Sequence, residues 1–281
     1  MQTNRVLKKH WKTAVLALAL VTSFSASADQ LSDIKQKGEL VCGVLGTDEP
    51  FSFMKNPATR EIVGYDVDMC NAIAASIGVK PVLKQLAVSA RIPELQQGRV
   101  DLLAASLTHN KEREALISFS LSTFITGQKV MVKADSGISQ LDQLAGKKVL
   151  TIKGSTMEQS VRSAIPGAQI VSFDSNPQAL LALQQGKGLA YANDETSLAG
   201  NFAKLGDAAK DYQLLAQPLS TEHMALGLRK GEPAFQEQVN KVLHELETSG
   251  KADALFTQWF GPDTKMKFAS RSFKIETDNI N

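Results

Sequence analysis

The sequence predicts an α/β protein made of two consecutive units, each a mostly parallel sheet flanked by helices. Three observations carry that expectation. Short apolar runs alternate with segments of helical periodicity, the pattern of strands joined by crossover helices. Some of those runs, VDLLAAS at 100–106 above all, are apolar throughout, as strands covered on both faces are. The tetrapeptide Leu-Gln-Gln-Gly occurs at 95–98 and again at 183–186, each time closing a helical stretch and preceding an apolar run.

The elements follow in chain order. GELVCGVLG reads as a buried strand closed by turn residues. EIVGYDVDMCNAIAASIG opens extended and continues as a helix with Val67, Cys70, Ile73, Ala74 and Ile77 on one face, ending at Gly78. PVLKQLAV is a strand, ARIPELQQG a short helix with Pro93 in its first turn, VDLLAAS a strand and KEREALIS a helix. TGQKVMVKADSG is a polar-flanked strand, after which the pattern restarts. GKKVLTIKG, AQIVSFD and GLAYAND read as strands; STMEQSVRSAI, NPQALLALQQG and TSLAGNFAKLG read as helices. HMALGLRKG is a last strand, and 235–261 carries one or two amphipathic helices.

The first 28 residues read as a secretory signal rather than as part of the fold. Arg5, Lys8, Lys9 and Lys12 precede the apolar TAVLALALV, and Ala26-Ser27-Ala28 supplies small residues for cleavage before Asp29. The apolar run is shorter than the roughly 20 residues a membrane span needs. Removing the signal lowers 31 Lys and Arg by four to 27, against 29 Asp and Glu. A mature chain near neutrality offers no electrostatic reason to expect nucleic acid as a partner. Cys42 and Cys70 are an even pair in an exported chain, compatible with one disulfide or with two buried thiols. Neither has a close Cys or His at metal-ligand spacing, so no metal or cofactor is expected.

Ligands of open parallel sheets bind beyond the carboxyl ends of the strands. After VDLLAAS come Ser106, Thr108 and, further on, Arg113: hydroxyls and a guanidinium suited to gripping a carboxylate. The alternative is a capping Thr or Asn and a solvated Arg. Gly154-Ser155-Thr156 stands between a strand and a helix, where free N–H groups attract an anion or where an ordinary cap sits. It is not a P-loop, because the Gly-Lys-Ser/Thr ending is missing. GLAYAND ends in Asp194, placed to hold an ammonium group or to cap the next helix. An anion site and a cation site together describe a zwitterion, of which an amino acid is the simplest.

GYDVDMCNAIAASIG, RIPELQQGRVDLLAASLTHNKERE, FSLSTF, LAGKKV, KGST and LFTQWFG, in this order, resemble the periplasmic amino-acid-binding proteins of ABC importers, solute-binding protein family 3. The likeness covers nearly all of the mature chain and is nearest to glutamate/aspartate-binding proteins, which also carry a polar tail, as 262–281 does here. The resemblance implies the two-lobed periplasmic binding protein fold (type II), closing like a hinge on its ligand. It implies lobe one at 29–126, lobe two at 127–220, completion of lobe one at 221–261 and an extension at 262–281, with hinge strands near 126–130 and 218–224. Ser106, Thr108, Arg113 and Thr156 then look like holders of the α-carboxylate, and Ser106 and Asp194 like partners of the α-amino group.

The likeness also bears on specificity. Leu45 stands where acidic-ligand binders place an Arg, and Val88 where several relatives stack an aromatic ring. Arg91 falls where such binders use a second Arg; its alternative is a surface pair with Glu94. Asn176 is a further candidate for the pocket. Asp48 and Glu49 lie on the loop after the first strand and, facing the ligand, repel a second carboxylate. The implied ligand is an acidic or polar amino acid, and the implied partners are an inner-membrane ABC permease with its cytoplasmic ATPase, served by a periplasmic monomer. The rival reading is a periplasmic enzyme of the same fold, resembling cyclohexadienyl dehydratase. His109 and His223 lie near the presumed cleft without an evident partner, His244 reads as a solvated helix position, and no nucleophile–base pair is apparent, so binding is preferred to catalysis.

Overall fold

A computed structural model describes residues 29–276; the predicted signal and residues 277–281 lie outside the described residues. In the first part of the chain α1 (Gln30–Lys37), β1 (Glu39–Val44), β2 (Thr47–Asp48), β3 (Ser52–Asn56), β4 (Glu61–Val63), α2 (Tyr65–Ile77), β5 (Lys80–Gln85), α3 (Arg91–Gln96), β6 (Leu102–Leu103) and α4 (Lys111–Glu114) lead into β7 (Ser118–Lys133). Then follow β8 (Lys148–Ile152), α5 (Met157–Ala164), β9 (Gln169–Phe173), α6 (Asn176–Gln184), β10 (Ala190–Asp194), α7 (Glu195–Leu205), β11 (Tyr212–Leu214), β12 (Ser220–Leu228), α8 (Pro233–Thr248) and α9 (Lys251–Phe260). Helix α1 and strands β2 and β3 go beyond the sequence reading, while the extended opening of EIVG is β4, paired with β3 in a small antiparallel sheet. Asp29 starts α1 by accepting the Ser32 N–H at 2.9 Å, a side-chain cap.

The expected parallel sheets are present, but they are joined into one. The strand order is β5-β1-β6-β12-β7-β10-β8-β9, with β11 also on β7. Strands β5, β1 and β6 are parallel, as are β10, β8 and β9; β12 and β7 lie antiparallel between them. The two lobes therefore repeat one plan, with β6 and β10 in equivalent places. The two Leu-Gln-Gln-Gly stops precede those two strands, and Gly98 and Gly186 share a left-handed φ of 68° and 69°.

Four elements differ in extent from the sequence reading. The strand expected from 126 begins at Ser118, because β12 pairs with it along its first half, Leu228 opposite Ser118 and Ser220 opposite Gln128. The expected helix KEREALIS keeps only its first four residues as α4, a turn follows, and its last residue, Ser118, opens β7. The VDLLAAS strand pairs only at Leu102 and Leu103, because Ser106 turns the chain with a φ of 47°. The last strand likewise starts at Ser220 rather than at 223. Residues 126–128 and 220–224 of the expected hinge segments lie within the β7–β12 pairing.

Lobe one packs β1 and β12 under α2, α8 and α9 in a core that includes Leu40, Cys42, Tyr65, Cys70, Phe124 and Phe260, with a second core around Leu86, Leu95 and Leu103. Cys42 and Cys70 are bonded, joining β1 to its covering helix across a Cα–Cα distance of 6.4 Å. This settles the alternatives left open by the sequence. The bond contributes roughly 2–4 kcal/mol, mainly by restricting the unfolded chain. Lobe two has separate cores on the two faces of its sheet, one around Val130, Val149 and Val161 and one around Leu150, Leu183 and Tyr191. The tail after α9 folds back onto lobe one: Phe268 and Phe273 join Phe124, Phe256 and Phe260, and the Ser122 N–H donates to the Glu276 carbonyl at 3.0 Å.

Candidate functional site

Strand ends of both lobes converge on one small cavity of about 30 Å³. Ser106, Thr108, Arg113, Ser155, Thr156, Asp194, Arg91 and Asn176, the eight residues singled out from the sequence, all line it. Leu45, Val88, Ile152 and Met157 supply apolar wall, and Asp48 and Asn193 supply further polar groups. The cavity has room for about one water. A wider groove of about 740 Å³ opens beside it and shares Thr108 and Thr156.

Arg113 is 9% exposed and donates to two backbone carbonyls, Thr108 at 2.8 Å and, across the lobes, Gly154 at 3.3 Å. Among the described residues it makes no ion pair. Burial lowers its pKa, and Glu222 and Asp194 act against that without touching it. The Gly154 carbonyl occupies the position that a carboxylate oxygen takes on such a fork. Gly154 itself is required here. Its φ is +77°, and a Cβ would lie 2.6 Å from the Ser89 Cα of the other lobe.

Asp194 is the opposite pole. It stands at the start of α7 yet makes no capping bond, so the capping alternative does not hold. It is 5% exposed, and its Oδ1 is buried with no hydrogen-bond partner. Burial, then Glu222 and Asp48, push its carboxyl well above the usual range. A buried acceptor of this kind is costly unless a donor reaches it.

Ser106 is fixed on three sides. Its N–H donates to Asp66 at 2.8 Å, its hydroxyl donates to Asp48 at 2.7 Å, and its carbonyl accepts from Arg91 at 3.0 Å. Burial raises Asp66 to about 7, although the Ser106 N–H pulls it down. The alternative pairing of Arg91 with Glu94 is overturned, since Glu94 is taken by Lys84 at 2.8 Å and Arg99 at 2.6 Å. Arg91 donates instead to the carbonyls of Val88, Ala105, Ser106 and Gly154. Burial, with Arg113 nearby, lowers it to about 9.

Lobe two adds a polar cluster. Asn176 donates to Asp48 at 2.8 Å and accepts from Tyr191 and Asn193. Thr156 donates to Glu222 at 3.2 Å, accepts from Gln128 at 2.7 Å and meets Thr108 at 3.4 Å. The Ser155 hydroxyl donates back to the Ile152 carbonyl. Sequence reasoning missed Asp66, Ser197, Gln128 and Glu222, whose partners lie far away along the chain. His109 corrects an expectation: it stacks on Phe119 at 4.1 Å, and its Nε2 lies 2.8 Å from Glu114.

A cation, an anion and a hydrogen-bonding floor thus meet between the two lobes, and known proteins share the fold. The chain is 34% identical over 245 residues, 86% of its length and 88% of the relative's, to the ABC transporter glutamine-binding protein GlnH of Bacillus subtilis (strain 168). It is 28% identical over 284 residues, 95% and 93% of the two lengths, to the glutamate/aspartate import solute-binding protein of Escherichia coli (strain K12). The P235GK mutant of ArgBP from T. maritima superposes with a TM-score of 0.77 at 31% identity, covering 82% of this chain and 99% of that one. Residues 40–262 match the family described as bacterial extracellular solute-binding proteins, family 3, and the chain belongs to that family.

Proposed function

We propose that the protein captures a polar or acidic amino acid between its lobes and delivers it to an ABC permease. The observation that carries this reading is the buried, unpartnered Asp194 Oδ1 in one cavity with Arg113, whose donors meet only carbonyls. An α-ammonium satisfies the first and an α-carboxylate the second. The cavity is smaller than any amino acid, so the ligand enters with the lobes apart. On closure its carboxylate takes the place of the Gly154 carbonyl on Arg113. Closure is favoured because these contacts exist only when both lobes meet the same molecule. The lobes divide near 126/127 and 220/221, with 262–281 as an extension, and β7 and β12 carry the bending. The export signal at 1–28 puts the mature chain in the periplasm, working as a monomer.

An enzyme of the same fold has less support. His109, beside the cavity, is held by Phe119 and Glu114, and both relatives named above are binding proteins. Calorimetry across the amino acids, with protein unfolded and refolded to strip bound solute, tests the proposal. Saturable binding of at least one amino acid is expected; binding by none overturns it.

A further inference from the structure

We propose that Asp48 reads the side chain of the bound amino acid, rejecting a second carboxylate and selecting an end group that carries N–H donors. This rests on the capture reading above and narrows its ligands, setting the acidic amino acids aside.

Asp48 lies on β2 in lobe one, is 3% exposed, and lines the cavity that holds Arg113 and Asp194. Its three partners all donate: the Ser106 hydroxyl at 2.7 Å, the Asn176 amide at 2.8 Å and the Ser197 hydroxyl at 2.7 Å. Burial raises the Asp48 pKa, and the Ser197 and Ser106 hydrogen bonds, with Lys204 and Arg91 nearby, act against that; three donors suit an ionised carboxylate, which accepts about four bonds. Oδ1 receives two of the donors and Oδ2 only one, so Oδ2 keeps acceptor capacity. The neighbouring acid points elsewhere, since Glu49 faces Lys204 at 3.6 Å and Lys265 at 3.4 Å.

With the α-carboxylate on Arg113 and the α-ammonium on Asp194, the charges left near Asp48 are Lys204, Arg91 and Asp66. Arg91 already spends its donors on four carbonyls. A ligand carboxylate at this end adds a third negative group beside a guanidinium committed to carbonyls and a Lys204 that already faces Glu49. An amide or a cationic end group instead offers N–H donors to Oδ2. Leu45, Val88, Ile152 and Met157 line the route for the methylenes between.

The test is calorimetry of the full mature chain with glutamine, asparagine, arginine, lysine, glutamate and aspartate. Glutamine or arginine is expected to bind at least about tenfold tighter than glutamate, because like charges meet at Asp48 in the acidic complex. A lead for glutamine identifies a neutral amide as the preferred end group, and a lead for arginine identifies a cation; both support the assignment. Asp48→Asn is expected to narrow the glutamine-to-glutamate ratio by about tenfold, chiefly by improving glutamate. Glutamate binding the wild type as tightly as glutamine overturns the proposal without any variant. So does an unchanged ratio in a folded Asp48→Asn protein. Binding by no amino acid defeats the capture reading itself, and this assignment with it.

Discussion

Arg113 in the cleft and Arg271 in the C-terminal tail are both buried cations, and the protein treats them in opposite ways. Arg271, 5% exposed at its side chain, forms a two-armed pair with Glu247 at 2.6 and 2.7 Å and a third bond to Asp253 at 2.8 Å. Burial acts to lower its pKa, but the bonds to Glu247 and Asp253 outweigh that and raise it. Arg113 receives only carbonyls, and burial leaves its pKa lowered. A buried guanidinium with carboxylates supplied is a brace, tying the tail to α8 and α9. One from which they are withheld keeps its attraction for an anion that arrives later. Asp194 is the same case with the sign reversed.

The largest test of this contrast is Arg113→Ala. It is expected to weaken binding of every amino acid by about 30-fold or more, since truncating a buried charged partner costs about 2–5 kcal/mol. The melting temperature without ligand should move little, and calorimetry with a thermal melt reads both. Retained affinity would break the comparison. Asp194→Asn comes next, with affinity about tenfold to 100-fold weaker, the loss of one charge-assisted bond. The same change should raise the ligand-free melting temperature by about 2–4 °C, because an unpartnered buried charge is removed.

Arg271→Ala is expected to show the reverse profile. Stability falls by about 2 kcal/mol, below the full cost of a dry pair because Asp253 is exposed. The ligand ranking should stay unchanged, which denaturant unfolding and calorimetry distinguish. The smallest effect is in the pH dependence. The hydrogen bonds from Arg271 hold the Glu247 carboxyl below its ordinary range. Its contribution is therefore present above the unfolded value of about 4.3 and lost as pH falls through the folded value. The Arg271→Ala penalty should shrink toward pH 3. For Asp194, raised by burial, the sign is opposite: ionisation destabilises the ligand-free fold at neutral pH, and lowering the pH relieves it.

The sequence by itself determined what depends on near neighbours. Glycine stops, apolar runs and helical faces located most strands and helices, and the rule of strand ends led to Ser106, Thr108, Arg113 and Asp194. Tertiary structure decided the rest. Strand β7 grows to 16 residues because β12, about a hundred residues later, lies beside its first part and β10 and β11 beside its end. Asp48 meets Ser106, Asn176 and Ser197 at separations of 58, 128 and 149 residues, and no local pattern marks such partners. Whether an acid is a cap, a surface charge or a reader of ligands depends on which groups remove it from water. Periodicity reports a residue's face, and only the packed chain sets its partners and its charge.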